Sequence, residues 1–303
     1  MSLGCNCEAG LSNTGQPNCV PIFSVTSGLI MVPLKANDGT LNGLDLSASV
    51  PVWSDLINEA DSSKRWFPIG AFENVELPKA DSQFEEANSG KMAFLRQGKR
   101  SFSGELWSED STPTLLGKLQ LNRCVDFGVY IVDVNGNLIG SKADGYLYPI
   151  PVDNPSFDPR FMFATDSTCQ KLMVGFDIDR LFDESTMYMV TPEEAGINFN
   201  DLDGLVDVNL VQDALTSSLI TISATFDYGT AYNPLKYKGA NSPTDWKIFD
   251  ASGSEVVGAV ATCSEGPDAT YEIGALAGLT IGDVYELRTS KDGFEGKLTF
   301  TAV

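Results

Sequence analysis

The chain has 303 residues, enough for two domains of ordinary size, each with a core of its own. Hydrophobic residues make up 43% and charged residues 20%, which excludes a disordered chain, and no apolar run reaches the roughly 18 residues a membrane-spanning helix needs. With 41 acidic against 20 basic residues and no histidine, the net charge of −21 excludes a basic nucleic-acid binder and removes every histidine-dependent triad, metal site and general base.

The first residues, MSLGCNCEAG, carry neither a basic n-region nor an apolar h-region, so no export signal is read and the mature chain is expected to begin at or near Met1. Cys5, Cys7 and Cys19 crowd this end, while Cys124, Cys169 and Cys263 stand apart. That is too sparse for a secreted disulfide scaffold, and the second close pair of an all-cysteine zinc site is missing. Reduced thiols are expected. Cys5, Cys7 and Cys19 are the one cysteine group at which a metal is considered, and none is assigned.

Residues 1–50 are rich in Gly, Asn, Ser and Pro and predict an extended arm that could lie across a neighbouring copy. Their one apolar run, 22–34, predicts a strand or two, with Pro33 favouring a sheet edge. Residues 51–79 predict short strands and turns in which Trp53, Trp66, Phe67 and Phe72 anchor a core, a sugar-stacking platform being the functional alternative. Residues 81–90 predict a solvated loop. Residues 91–107 predict a hairpin turning at Gln97-Gly98-Lys99, whose tip gathers Arg96, Lys99 and Arg100. Such a cluster in an acidic chain is either a solvated turn or a contact with the acidic face of an adjacent copy.

A helix is predicted near 112–123, because 108–112 supply capping and acidic residues, Pro113 suits the first turn, and Leu115, Leu116, Leu119 and Leu121 form a stripe. It leads into the clearest local signal in the chain, a hairpin across 124–151. There Asn135-Gly136 sits between apolar runs, predicting a type I′ turn. One face is expected to pack on the helix and core, and an edge or the tip to meet a neighbouring copy. Strand character returns at 161–163 and 171–178.

Carboxylates gather at Asp177, Asp179, Asp183 and Glu184, and side-chain oxygens at Asp133, Asn135 and Asn137. Neither group fits the EF-hand pattern, since Gly136 falls fourth and Asp144 twelfth where glycine sixth and glutamate twelfth are required. Glu73, Glu76, Glu85, Glu86, Glu109, Asp177 and Asp179 could in principle supply a glycosidase pair, but spacing alone places no two of them across a cleft. No catalytic, cofactor-binding or metal-binding residue is therefore assigned, and the chain is expected not to be an enzyme.

Turn formers at 191–204 mark a domain boundary. Residues 205–303 then predict a β-sandwich with strands starting near Leu219, Trp246, Val256, Tyr271, Val284 and Lys297. Within it, 276–288, LAGLTIGDVYELR, reads as the start of the sixth strand of an immunoglobulin- or fibronectin-III-like domain.

The arm, the segment KMAFLRQGKRSFSGELW, the helix TPTLLGKLQLNR, the hairpin FGVYIVDVNGNLIG and the appended module together resemble bacteriophage virion proteins of the tail-tube or tail-ring type. The resemblance rests on order and pattern over about residues 20–190. It implies a mainly β fold, a tail-tube-like sandwich or barrel over 51–204 with one flanking helix, plus an immunoglobulin-like sandwich over 205–303. It also implies a homo-oligomeric ring or tube in the virion, assembled in the host cytoplasm with other tail or connector proteins, through whose acidic channel DNA passes without specific binding or membrane insertion. A β-sandwich binding or capsid-decoration protein recognising surface glycans or proteins is the alternative.

Overall fold

The computed structural model describes residues 14–16, 20, 22–107, 111–230, 232–274, 276–291 and 293–303. The fold is mainly β, as the sequence predicts, and strands far outweigh the few short helices. Cys5, Cys7, Cys19 and Glu109 lie outside the described residues.

The strand Phe127–Asp133 is the centre of the N-terminal unit. It pairs antiparallel with Thr26–Pro33 on one side and Leu138–Ala143 on the other, and the sheet extends to Phe67–Ile69 at one end and through Tyr146–Tyr148 to Leu44–Asp45 at the other. All seven residues of the central strand are buried, because cores cover both faces. Phe127, Val129 and Ile131 face one core, shared with a second sheet ordered Asp158–Met162, Lys171–Asp177, Ser101–Trp107, Glu73–Glu76. Tyr130 and Val132 face the other, closed by the helical turn Trp53–Ile57, Trp66 and the 195–205 segment.

Two expectations change here. The 26–33 run is not part of a loose arm or a sheet edge: it is an interior strand, and Pro33 occupies its last position, where a missing N–H removes no ladder bond from the middle of the sheet. The Asn135-Gly136 turn is not type I′. Asn135 keeps negative φ, Gly136 takes φ 78°, and Gly136 N donates to Asp133 O at 2.8 Å while Asp133 N donates to Asn137 O at 3.1 Å. This is a three-residue loop with a left-handed glycine closing a bulge. The Asp133 carboxylate selects it by accepting from Asn135 N and Asn137 N, both at 2.9 Å. The double positive φ of a type I′ turn occurs instead at Asp144 and Gly145, between Ala143 and Tyr146.

The predicted 91–107 hairpin is replaced by a longer ribbon. Ser101–Trp107 pairs with Glu73–Glu76, Lys79 bridges Arg100, and Gln83–Glu86 pairs with Met92–Arg96. The predicted loop at 81–90 thus holds a strand, and the turn falls at Asn88-Ser89-Gly90, where Gly90 has φ 78°. Gly98 is needed for a different reason: a Cβ there would run into the Ala80 carbonyl on the opposite strand.

The predicted helix forms over Pro113–Leu121, capped by Thr112, whose hydroxyl accepts from Leu115 N at 3.2 Å. Leu119 is buried and Leu115 and Leu116 pack beside it, but Leu121 points to solvent.

The C-terminal unit has a core of its own, around Ile220, Ile222, Trp246, Ile248, Tyr271 and Leu287. Its strands run Trp246–Phe249, Val284–Lys291, Phe294–Thr301, Val206–Leu215, Leu219–Thr230, Thr270–Gly274, Thr262–Glu265. Val206–Leu215, which the sequence did not suggest, joins the two halves by pairing parallel with Phe294–Thr301 and antiparallel with Leu219–Thr230. The strand expected at 256 begins only at Thr262. Arg65 links the units. Nearly buried, it donates to both carboxylate oxygens of Glu295 at 2.8 and 3.1 Å and to Glu59 O at 2.7 Å.

Candidate interaction surface

The residues singled out for chemistry are occupied with holding the fold. Asp177 accepts from Lys99 Nζ at 2.7 Å and from Ser101 Oγ at 2.6 Å. Partial burial alone would raise its pKa, but these two donors outweigh burial and hold it below the usual aspartate value. The Arg100 hydrogen bond depresses the Glu184 pKa, and Lys79 reinforces it. Asp179 and Asp183 each accept a backbone N–H two residues on, from Leu181 and Ser185. The positive cluster and the acidic cluster, apart in sequence, therefore neutralise one another, with Arg96 turned to Gln83.

Lys99 and Arg100, which the sequence offered either to a solvated turn or to an adjacent copy, are thus paired within the chain, and Asp177 and Glu184 are engaged by cationic side chains. Asp133, Asn135 and Asn137 do not converge as ligands either, since Asn137 Nδ2 donates to Asp133 Oδ2 at 2.8 Å. Of the carboxylates considered for a glycosidase pair, Glu73 lies opposite Glu105 in the sheet, Glu76 lies opposite Ser103, and Glu85 and Glu86 ride on the projecting ribbon.

The tryptophans are core residues. Trp53 donates through Nε1 to Ala195 O at 2.9 Å, Trp66 packs on Tyr130 with ring centroids 4.9 Å apart, and Trp246 donates to Ala240 O at 2.8 Å. Their burial removes the stacking platform considered for Trp53 and Trp66, and only Phe67 of the four N-terminal aromatics is exposed. The hairpin tip at Asn135-Gly136 is also taken within the chain. Asn200 Nδ2 donates to Asp133 O at 2.9 Å and Phe199 N to Gly136 O at 3.4 Å, while Val134 and Asn135 stay exposed.

What the fold leaves uncovered is the far end of the 73–107 ribbon. Every residue of Gln83–Glu86 and Met92–Arg96 is exposed. Phe84 stands opposite Phe94, edge to face at 5.7 Å, and Met92 continues the same face two residues on. The register slips between Gln83 and Phe84, leaving Leu95 as the extra residue of a bulge. Phe84, Met92, Phe94 and Leu95 are 53–61% exposed, and none belongs to the three cores. A two-stranded ribbon without a third strand is marginal in water, which makes its exposed apolar face a candidate interaction surface. The sequence signal was present as the alternation of Phe84 and Glu86 opposite Phe94 and Met92 about Asn88-Ser89-Gly90, but it was overshadowed by the Gln97-Gly98 dipeptide.

No family model, no curated protein and no solved structure matches the chain.

Proposed function

We propose that this is a non-enzymatic structural protein of a bacteriophage virion, of the tail-tube or tail-ring type, which assembles with copies of itself into rings or a tube. The single observation that supports this most is the ribbon at Gln83–Arg96, whose apolar face the chain itself does not cover. Such a face is a liability in a monomer and a joint in an oligomer. The net charge of −21 suits a channel wall past which DNA slides without adhering.

In this reading the C-terminal unit is an immunoglobulin-like sandwich. Its strand order fits four strands on one face and three on the other, with the first strand shared between them. Two details support it: a buried Trp246 on the third strand, and Tyr285 near the start of the sixth, whose hydroxyl accepts from Thr280 N at 3.0 Å. Electron microscopy and sedimentation velocity of the purified chain test the assembly reading. Rings or tubes with a central channel are expected, and a monomer at every accessible concentration would reject it.

A further inference from the structure

A groove of about 670 Å³ opens at the end of the central sheet where Thr26–Pro33 meets Phe127–Asp133. Leu34, Phe67, Val125 and Phe127 form its apolar lining, and Phe67 and Val125 are 37% and 42% exposed. Of its polar lining, Ser63 Oγ accepts from Asn37 N and donates to Asp61, and Asp126 accepts from Asn154. With these groups so engaged and the walls apolar, an apolar side-chain cluster suits the groove. On the rim, Lys35 is exposed and has no charged partner among the described residues.

We infer that this groove is the seat for the Gln83–Arg96 ribbon of a second copy of the chain, which places Phe84, Phe94 and Met92 against Phe67, Val125 and Leu34. The inference rests on the self-assembly reading and adds the surface that receives the ribbon. Two features carry it. The molecule has a projecting apolar ribbon face and, made by different elements, an open groove with apolar walls. Their charges also complement each other, since Glu85 and Glu86 flank the ribbon face without an ion pair among the described residues, and Lys35 waits at the rim. A knob and a hole on separate surfaces make a head-to-tail joint, which closes into a ring or extends as a filament.

The experiment uses two variants of the whole chain, each altered only at exposed positions and checked for an unchanged thermal transition: Phe84→Ser with Phe94→Ser on the ribbon, and Val125→Asp in the groove. Each alone should raise the concentration for half-assembly more than about tenfold. Mixed in equal amounts, they should form a one-to-one pair that grows no further, because the groove variant keeps a sound ribbon and the ribbon variant a sound groove. Assembly of Val125→Asp at the wild-type concentration, or a mixture that stays monomeric, would overturn the inference. If the ribbon variant fails while the groove variant assembles, the ribbon seats elsewhere and self-assembly stands; if the wild type never assembles, both are overturned.

Discussion

Asp133 is a fully buried carboxylate in the central hairpin, and it accepts from Asn135 N, Asn137 N, Asn137 Nδ2 and, at 3.3 Å, Ser24 N. Its neighbours supply donors in place of water, so the charge is tolerated and the turn is fixed. Asp133→Ala should cost about 2–4 kcal/mol, seen as a lower urea midpoint at unchanged slope. A midpoint equal to wild type would mean the backbone turn holds without it. Tyr285→Phe deletes the acceptor for Thr280 N and should cost about 1 kcal/mol, measured the same way. Cys263 is half-buried, with its thiol pKa pushed up mainly by burial, whereas Cys124 and Cys169 are exposed. Among these three, a thiol reagent at neutral pH should label Cys263 last.

Among the elements, the 73–107 ribbon divides into two parts by burial. Its proximal strand Ser101–Trp107 alternates half-buried and buried residues and sends Phe102 and Leu106 into the core, so it belongs to the fold. Its distal strands send nothing inward. Replacing residues 83–96 by a short glycine-containing turn should therefore leave the thermal transition within a few degrees of wild type while abolishing assembly. A large loss of stability would show that the ribbon supports the fold. The helix Pro113–Leu121 could be read from Thr112, Pro113 and the leucines because capping and periodicity are local properties. The ribbon's turn was misplaced because Gly98 looks like a turn residue, yet serves a close approach of two strands.

For the whole molecule, the Arg65–Glu295 pair ties the two units together. Burial alone would raise the Glu295 pKa, but the Arg65 guanidinium, helped by Lys297, outweighs burial and holds it below the ordinary glutamate value. A depressed carboxylate pKa stabilises the folded state fully above the ordinary value, and that contribution disappears as pH falls through the depressed one. Arg65→Ala should cost about 3 kcal/mol at neutral pH by leaving Glu295 without its main partner. Wild type should exceed Glu295→Gln in stability near neutral pH, with the gap narrowing below about pH 4. A gap that stays constant across the titration would mean the pair contributes nothing electrostatic. Removing residues 205–303 would leave Arg65 unpaired, so assembly by a truncated chain is informative only beside its measured stability.

The sequence alone determined the mainly β class, the capped helix and the strongly apolar central strand, because these rest on composition, periodicity and turn residues that act over a few positions. Tertiary structure decided which strands lie at the centre, how the 73–107 ribbon pairs, and that Lys99 and Arg100 are consumed by Asp177 and Glu184. Pairing across long separations leaves no local mark, and a charged side chain's availability depends on what the fold brings beside it. The 124–151 hairpin shows both sides of this. Its apolar runs announced a strand pair, but only the fold shows that its first strand is buried on both faces and that Asn200 and Phe199 bond to its turn.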